Sequence, residues 1–264
     1  MLLIGLGIRM AFIKLVEYET PKLKEPILVQ GLPGLGLVGK LAVDYIIEEL
    51  KLPKIAELYS SHLLLPQGNA GIFIEIDGTF NLPRYEFYLY RGEEHDVIFL
   101  AGNTQPVAWG QYEVAGKVLE YFEKMGGKMV IAVCGTTAAG EESRVFCTAD
   151  DPETLEYLKK LGFKVSSSGS VTGACGVLPG LAKIRGFKTF ILMGAVQRTY
   201  VDPEAAREIV KALVEILKIK ISLEDLDKMI RDFKRKEEEM VKLRELWERV
   251  KERRRGEPEQ PWYV

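Results

Sequence analysis

The stretch Gly31-Leu32-Pro33-Gly34-Leu35-Gly36-Leu37-Val38-Gly39-Lys40 decides how the rest of this chain is arranged. It follows an apolar run at residues 27–29 and precedes an amphipathic run at residues 41–50. A strand, a glycine-rich turn and a helix in this order open a βα unit. Because a helix N-terminus presents unpaired N–H groups and the positive end of the helix dipole, such a turn can hold an anion. The stretch therefore predicts an α/β fold and raises the question of a phosphate ligand.

The composition is that of a globular protein without a dominant charge. The chain has 264 residues, 47% of them hydrophobic, and a formal net charge of −2. This is enough for a substantial core and gives no global attraction to nucleic acid or membrane. No apolar run reaches the length of a membrane span. We therefore expect neither a nucleic-acid partner nor a membrane partner.

Cysteine and histidine are too scarce for common metal or disulfide frameworks. The chain has three cysteines and two histidines, and it contains no Cys-x-x-Cys motif. A disulfide frame or a thiolate zinc site is therefore not expected, and a reducing cytoplasm fits best. We predict that the protein carries no metal and no cofactor. Abundant Lys, Arg and Glu with few Asn and Gln are compatible with a heat-adapted source.

The N-terminus is interpreted as a leader over residues 1–11. The run at residues 1–8 is apolar but short, and its nearest cation, Arg9, follows it. A secretory signal has the reverse order and a longer apolar core. We prefer Met10 as the natural start and expect the preceding residues to be poorly ordered. A short N-terminal strand is the alternative.

Strand-like and helix-like patterns alternate along residues 12–220. The strand-like runs cover residues 27–32, 55–59, 71–76, 85–90, 97–101, 129–134, 145–148 and 189–195. The helix-like runs cover residues 38–50, 107–125, 152–161, 175–183 and 203–217. Asp151-Pro152 and Asp202-Pro203 each place a capping acid before a proline at the first helical position. The alternation predicts a three-layer α/β domain with a mostly parallel or mixed sheet, in which residues 55–90 supply a mixed or antiparallel portion.

A highly charged helix is predicted over residues 221–255. Between Ser222 and Arg255, 22 of 34 residues are Asp, Glu, Lys or Arg, with no Gly or Pro. Apolar side chains recur three, four or seven positions apart, at Leu226, Ile230, Phe233, Met240, Leu243, Trp247 and Val250. So narrow an apolar stripe is typical of coiled coils and helix packing. We predict a projecting helix that mediates self-association, a tetramer being favoured over a pentamer; packing onto the protein's own domain is the alternative.

The last nine residues, 256–264, are predicted to form a flexible docking tail. Gly256 ends the charged helix, and two prolines within residues 257–261 stiffen an extended chain. The sequence then closes on Trp262, Tyr263 and Val264. An apolar ring, a phenol and a terminal carboxylate form a compact three-point ligand, and the prolines lower the entropy lost on docking. Folding back of the two rings onto the protein's own surface is an equally supported alternative.

The glycine-rich stretch also matches two nucleotide-binding patterns. Gly34-x-Gly36-x-x-Gly39 fits the dinucleotide fingerprint, and Gly34-x-x-x-x-Gly39-Lys40 fits most of a phosphate loop. Glu57 lies near the distance of the ribose-binding acid but inside an apolar strand, and Leu41 stands where a phosphate loop needs a hydroxyl. Glycines serve tight turns and close packing equally well. We therefore interpret the loop as structural, with a nucleotide- or nucleoside-binding enzyme as the alternative. The residues of this glycine loop are Gly31, Pro33, Gly34, Gly36, Gly39 and Lys40.

No pattern of catalytic residues emerges from the sequence. There is no Gly-x-Ser-x-Gly elbow, and neither His62 nor His95 has a partner that the sequence identifies. The polar loops at residues 135–142 and 166–173 are better explained as ordinary loops than as anion sites. We predict that the protein is not an enzyme and has no catalytic residues.

The glycine loop, the helix after it and residues 55–66 together resemble the archaeal proteasome-assembly-chaperone family. The resemblance extends over about residues 12–217, with looser matches at Gly173-x-x-Gly176 and Gly180. It implies a purine-nucleoside-phosphorylase-type α/β fold without a working phosphorylase site. It therefore implies a binding protein.

The ending Trp262-Tyr263-Val264 resembles the hydrophobic–tyrosine–any-residue motif at the C-termini of proteasome activators. This resemblance implies docking into pockets between neighbouring α-subunits of the 20S ring. There the Val264 carboxylate would pair with a pocket lysine, while Trp262 and Tyr263 pack and form hydrogen bonds. We therefore predict an ATP-independent proteasome-binding protein, an assembly-chaperone homologue and activator, whose homo-oligomer presents several tails that favour gate opening.

Overall fold

The computed structural model describes residues 11–137, 144–198 and 200–255 of the chain. The leader predicted for residues 1–11 lies almost wholly outside these residues. The chain divides into two units, Met1–Ile221 and Ser222–Val264. Among the helices of the described residues, none combines the length and the apolar character that crossing a bilayer requires.

The first unit contains the strands and helices of the α/β fold. Its strands are β1 (Ile13–Glu17), β2 (Ile27–Gly31), β3 (Lys54–Ser60), β4 (Phe73–Ile74), β5 (Phe80–Asn81), β6 (Arg84–Tyr90), β7 (Val97–Gly102), β8 (Met129–Thr136), β9 (Val145–Ala149), β10 (Lys164–Val165) and β11 (Lys188–Ala195). Its helices are α1 (Val38–Glu49), α2 (Gln111–Lys124), α3 (Pro152–Lys160), α4 (Ala174–Ile184) and α5 (Pro203–Leu217). The second unit is described as one helix, α6 (Glu224–Arg255).

Nine strands form one mixed sheet in the order β1-β3-β6-β7-β2-β8-β11-β9-β10. In its centre, β2 is parallel to β7 and β8, and β11 is parallel to β8. At one side, β1, β3, β6 and β7 pair antiparallel in succession. At the other side, β9 is antiparallel to β11 and parallel to β10. The structure confirms the mixed α/β sheet and the antiparallel portion expected from residues 55–90.

Helices cover the two faces of the central strands. On one face α2 packs against α4, and their apolar side chains share a core with strand residues such as Leu28 and Val130. On the other face α1 packs against α5 and contacts β2, β7 and β8. All five residues of β2 are buried, as expected of a strand covered on both faces. This is the predicted three-layer arrangement.

The predicted helix starts agree with the structure at both aspartate–proline pairs. The Asp151 carboxylate accepts a hydrogen bond from the Thr154 amide at 2.9 Å, before α3. The Asp202 carboxylate accepts one from the Ala205 amide at 3.0 Å, before α5. Capping is decided by neighbouring residues, which is why the sequence predicts it well.

Short or exposed strands differ from the sequence prediction. The strands β1, β5 and β10 were not predicted, because each is short and at most half-buried. The strand predicted at residues 71–76 is reduced to β4, which pairs only with β5 in a separate two-stranded hairpin. Isoleucine recurs at every second position there, at residues 72, 74 and 76, but these side chains are exposed and do not pack in the core.

Candidate functional site

The glycine loop connects β2 to α1 through one tight turn. Residues Leu35–Leu37 form a short 3-10 turn, in which the Leu37 amide donates a hydrogen bond to the Gly34 carbonyl at 2.9 Å. Gly36 adopts φ +62°, a left-handed conformation that glycine enters without penalty. The loop therefore has the strand–turn–helix context that both nucleotide motifs require.

Two glycines of this loop allow the helix to approach the sheet closely. A Cβ atom added to Gly31 would overlap the Gly39 carbonyl oxygen and the Val43 side chain. A Cβ atom added to Gly39 would overlap the Val133 carbonyl oxygen of β8. Since the obstacles include backbone atoms of the sheet and of α1, they cannot move aside as a flexible side chain would. These glycines serve close packing.

The Val196 side chain lies against the loop on the side that faces the strand ends. A Cβ atom added to Gly36 would lie 2.8 Å from Val196 Cγ1, and one added to Gly135 would lie 2.9 Å from the same methyl group. In open α/β sheets, ligands bind outside the carboxyl ends of the strands. Here the Val196 side chain, which follows β11, occupies that position beside Gly36.

Asp202 holds the segment that follows β11, residues 196–198, against the glycine loop. Its carboxylate, which is 1% exposed, accepts hydrogen bonds from the Gln197 amide at 2.6 Å and the Arg198 amide at 3.0 Å. The Asp202 amide in turn donates to the Gly36 carbonyl at 2.8 Å. The sequence indicated Asp202 only as a helix cap, so its role in fastening the glycine loop was missed.

The polar residues nearest the loop also have partners within the chain. Gln105 donates from Nε2 to the Pro33 carbonyl, while its Oε1 accepts from the Ala174 amide at 3.0 Å. Lys40 donates from Nζ to Asp44 Oδ2 at 2.5 Å and to Asn103 Oδ1 at 2.9 Å. The lysine of a phosphate loop must instead reach the bound phosphates. The Lys40 ammonium group is thus hydrogen-bonded to side chains of the protein beside α1.

Glu57, the candidate ribose-binding acid, lies in a cluster of donors that stand on β3, on β6 and directly after β1. Its carboxylate accepts hydrogen bonds from Tyr18 Oη and Tyr59 Oη, each at 2.6 Å. It also accepts from Lys54 Nζ at 2.5 Å and Arg84 Nε at 3.0 Å. Burial favours a higher pKa for Glu57, which is 4% exposed, but the hydrogen bonds from Lys54, Tyr18 and Tyr59 outweigh it and lower the pKa to about 2.

This arrangement separates Glu57 from the glycine loop. In the sheet, β6 and β7 lie between β3, which carries Glu57, and β2, which leads into the loop. In a dinucleotide site the acid follows the strand next to the loop. The nucleotide alternative is therefore not supported by the geometry. Among the described side chains, moreover, no group of three His, Cys, Asp or Glu is placed to hold a metal ion.

The apolar stripe predicted on α6 divides into two parts. Leu226 and Ile230 are buried, and Phe233 is half-buried. Further along, the exposed apolar side chains of the stripe are Met240, Leu243 and Trp247, with Leu246 beside them. Val250 belongs to the helix, but its side chain is outside the described residues. Among the side chains of the stripe that the structure describes, those of the second part are thus exposed to solvent.

The predicted docking residues Trp262, Tyr263 and Val264 lie outside the described residues. What the structure describes of this region is the helix that leads toward them, α6, which is 32 residues long. A helix of that length extends about 48 Å. The tail thus stays a prediction from the sequence.

Comparison with known proteins identifies the family. The model of the PAC2 family matches residues 28–241. The chain belongs to the PAC2 family. This PAC2 chain is 30% identical to the uncharacterized protein MJ1210 of Methanocaldococcus jannaschii over 236 residues, which cover 85% of this chain and 89% of that protein.

Two solved structures from Pyrococcus furiosus are similar to this PAC2 protein. PbaB, an archaeal proteasome activator, is 31% identical, with a TM-score of 0.79 over 88% of this chain and 100% of that chain. PbaA, an archaeal homolog of proteasome-assembly chaperone, is 26% identical, with a TM-score of 0.75 over 92% of this chain and 97% of that chain. These comparisons confirm the expected family and its α/β fold.

Proposed function

We propose that this PAC2 protein is an ATP-independent proteasome-binding protein that acts as a 20S activator and assembly-chaperone homologue. The observation that carries the proposal is the similarity to the activator PbaB, which extends over the whole of that chain at 31% identity. The similarity to PbaA, a homolog of proteasome-assembly chaperone, points to the same class of partner. The proposed partner is the α-subunit ring of the 20S particle.

The proposed contact is made by Trp262, Tyr263 and Val264. The indole ring would fill an apolar pocket between α-subunits, and the Tyr263 hydroxyl would form a hydrogen bond. The Val264 carboxylate would pair with a lysine, a charge-assisted contact that fixes the tail's end. Capture of a C-terminal carboxylate is a recurring mode of peptide recognition. The aromatic side chains of the segment would therefore anchor it, and its terminal carboxylate would ensure that only a chain end is recognised.

The helix α6 supports a role in presenting this tail. Its sequence is dominated by charged residues, which favour a solvated helix over burial in a core. Two prolines then stiffen the segment between the helix and Trp262, so less conformational entropy is lost when the tail docks. Length, charge and stiffness are properties expected of a segment that carries a ligand toward a partner.

A homo-oligomer would strengthen the docking of individually weak tails. When several tails bind one ring, each later binding event is intramolecular, and avidity rises by about 10² to 10⁴-fold. The ring shifts toward its open gate only if the tails bind the open state better than the closed state. We propose a tetramer in preference to a pentamer.

What supports a binding role over catalysis is the packing of the glycine loop. Val196 occupies the space beside Gly36 and Gly135, and Lys40 pairs with Asp44 and Asn103. The backbone of the loop is therefore packed against the sheet, α1 and the segment after β11. We propose that Gly31, Pro33, Gly34, Gly36, Gly39 and Lys40 have a structural role.

The decisive experiment compares peptide hydrolysis by 20S particles with the full chain, with a chain lacking residues 262–264, and with Tyr263→Phe. We expect the deletion to reduce hydrolysis to the level of the particle alone. We expect Tyr263→Phe to weaken stimulation, since it removes only the hydroxyl hydrogen bond. The matched control is Tyr200→Phe, which changes an exposed tyrosine of the α/β unit and should leave stimulation unchanged.

Undiminished stimulation by the truncated chain would refute docking through the tail. A pull-down of intact 20S particles and of separate α-subunits, with and without the last three residues, then distinguishes activation from assembly. Binding to the intact particle supports an activator, whereas binding confined to free α-subunits supports an assembly factor.

A further inference from the structure

A small hairpin at residues 72–82 stands apart from the nine-stranded sheet. Its strands β4 and β5 pair antiparallel, with Ile74 opposite Phe80. The turn is closed by a hydrogen bond from the Glu75 amide to the Thr79 carbonyl at 2.9 Å. The Asp77 carboxylate accepts a further bond from the Thr79 amide at 3.0 Å. The hairpin thus has a defined local geometry.

One face of this hairpin is wholly apolar, and the other is mixed. Because side chains alternate along a strand and paired residues share a face, one face carries only apolar side chains. This apolar hairpin face consists of Ile72, Ile74, Ile76, Phe80 and Leu82. Their exposure ranges from 42% for Ile72 to complete exposure for Ile76. The opposite face carries Phe73 together with the polar residues Glu75 and Asn81, and there Asn81 donates to Glu75 at 3.0 Å.

So much exposed apolar surface is unusual for a monomer. Five side chains of this size and exposure amount to roughly 600 Å², the upper end of the largest apolar patch on a typical monomer. A standard protein–protein interface buries about 800 Å² on each partner. An isolated two-stranded hairpin is marginally stable in water, so covering this face would also stabilise the hairpin. The patch has the size and character of an interface.

An apolar pocket lies at the base of the same hairpin. It has a volume of about 210 Å³, and its apolar lining includes Phe12, Leu63, Leu64 and Leu82. Leu82 belongs both to this base pocket and to the apolar hairpin face. An apolar cavity of about 150 Å³ is large enough to bind benzene. The base pocket can therefore accept a phenyl ring.

We propose that the apolar hairpin face and the base pocket form a self-association surface, covered by the hairpin of a second copy of this chain. Phe80 of one copy would enter the base pocket of its neighbour. The inference rests on the homo-oligomer of the proposed function and names its contact surface; it does not rest on the tail or on the proteasome.

A second copy fits this surface better than a different protein does. The chain carries both the protruding ring and a pocket that can accept it, so two copies are complementary without a further component. The five residues of the apolar hairpin face bear no charge, so copies do not repel one another there. A contact between two different patches is head-to-tail, and it closes into a ring when the rotation allows.

The first test measures the mass of the full chain in solution by light scattering over a range of concentrations. We expect the wild type to be a closed oligomer. The double variant Ile74→Ser/Phe80→Ser should need at least ten times higher concentration to associate. The matched control is Ile184→Ser, which changes an exposed isoleucine of α4 far along the chain from the hairpin and should leave the mass unchanged.

The second test uses cross-linking and stays informative if the double variant folds poorly. Two chains are produced together, one with Phe80→Cys and the other with Leu64→Cys, and oxidised. We expect a disulfide between the two chains, whereas Glu75→Cys on the opposite face should give none with Leu64→Cys. A monomeric wild type would overturn both this proposal and the proposed homo-oligomer. A folded double variant of wild-type mass, or the absence of the Phe80→Cys cross-link, would overturn this proposal alone.

Discussion

The glycine loop and the Glu57 cluster are held together by opposite means. In the loop, Gly31 and Gly39 bring backbone and side-chain atoms of α1 and the sheet into direct contact, with no charged group between them. In the cluster, one buried carboxylate is surrounded by two cations and two tyrosine hydroxyls. An added atom should therefore destabilise the folded state in the glycine loop, and a removed charge should destabilise it in the Glu57 cluster.

The largest effect is expected from Gly39→Ala. The added methyl group would overlap the Val133 carbonyl oxygen, and β8 lies in the centre of the sheet, so the strand and α1 must separate. We expect a loss of about 4 kcal/mol in the free energy of unfolding, at the severe end of overpacking. Urea unfolding followed by circular dichroism measures it.

The control for Gly39→Ala is Gly34→Ala in the same loop. There the nearest atom to an added Cβ is Gln105 Nε2 at 3.7 Å, an ordinary van der Waals distance. We expect a change below about 1 kcal/mol. Equal losses for the two variants would show that close packing is not what requires glycine at position 39.

A smaller but still large loss is expected from Glu57→Gln. The amide leaves Lys54 and Arg84 without their most buried counter-charge, although Glu86 stays near both, at 2.9 and 3.0 Å. We expect a loss of about 3 kcal/mol, since breaking a buried ion pair from one side is costly. The exposed pair Lys117–Glu120 supplies the control, because Glu120→Gln should change stability by less than about 0.5 kcal/mol. A Glu57→Gln variant as stable as this control would contradict a structural role for the cluster.

Acid should weaken the protein through the same carboxylate. The pKa of Glu57 is lowered to about 2 in the folded state, so its contribution is complete above the unfolded pKa and is lost as the pH falls toward 2. Between pH 5 and pH 3 this group should account for about 2 kcal/mol of lost stability. Urea unfolding across this range should show a shallower loss for Glu57→Gln; parallel curves would mean that other carboxyl groups dominate.

The smallest expected effect is that of adding nucleotides. A ligand at 100 times its Kd would stabilise the folded state by about 2.7 kcal/mol. Because Val196 fills the space beside Gly36, we expect millimolar AMP or ATP to leave the melting temperature unchanged. A shift that disappears in Lys40→Met would revive the nucleotide alternative and weaken the contrast between the two regions.

Local patterns in the sequence predicted the main elements correctly. The continuous apolar run of β2 indicated a strand buried on both faces, and the Asp202-Pro203 pair indicated the start of α5. Each of these features depends on residues within a few positions of one another, because hydrophobic periodicity and capping are local properties. The glycine loop was likewise placed correctly between a strand and a helix.

The partners of the polar groups could not be predicted from the sequence. Tyr18 and Arg84 lie 39 and 27 positions from Glu57 along the chain, and they meet it because β1 and β6 both border β3. Val196 and Asp202 reach the glycine loop only because β11 pairs with β8, which pairs with β2. None of these contacts has a signal in sequence spacing.

The sequence by itself thus determined the βα unit, the α/β class and the charged helix, since each follows from the spacing of apolar, glycine and charged residues. Tertiary structure alone decided that Val196 packs against the glycine loop, that Glu57 is enclosed by donors and that the apolar hairpin face is uncovered. The physical reason is the order of strands in the sheet, which sets which distant residues meet and which apolar side chains find a core.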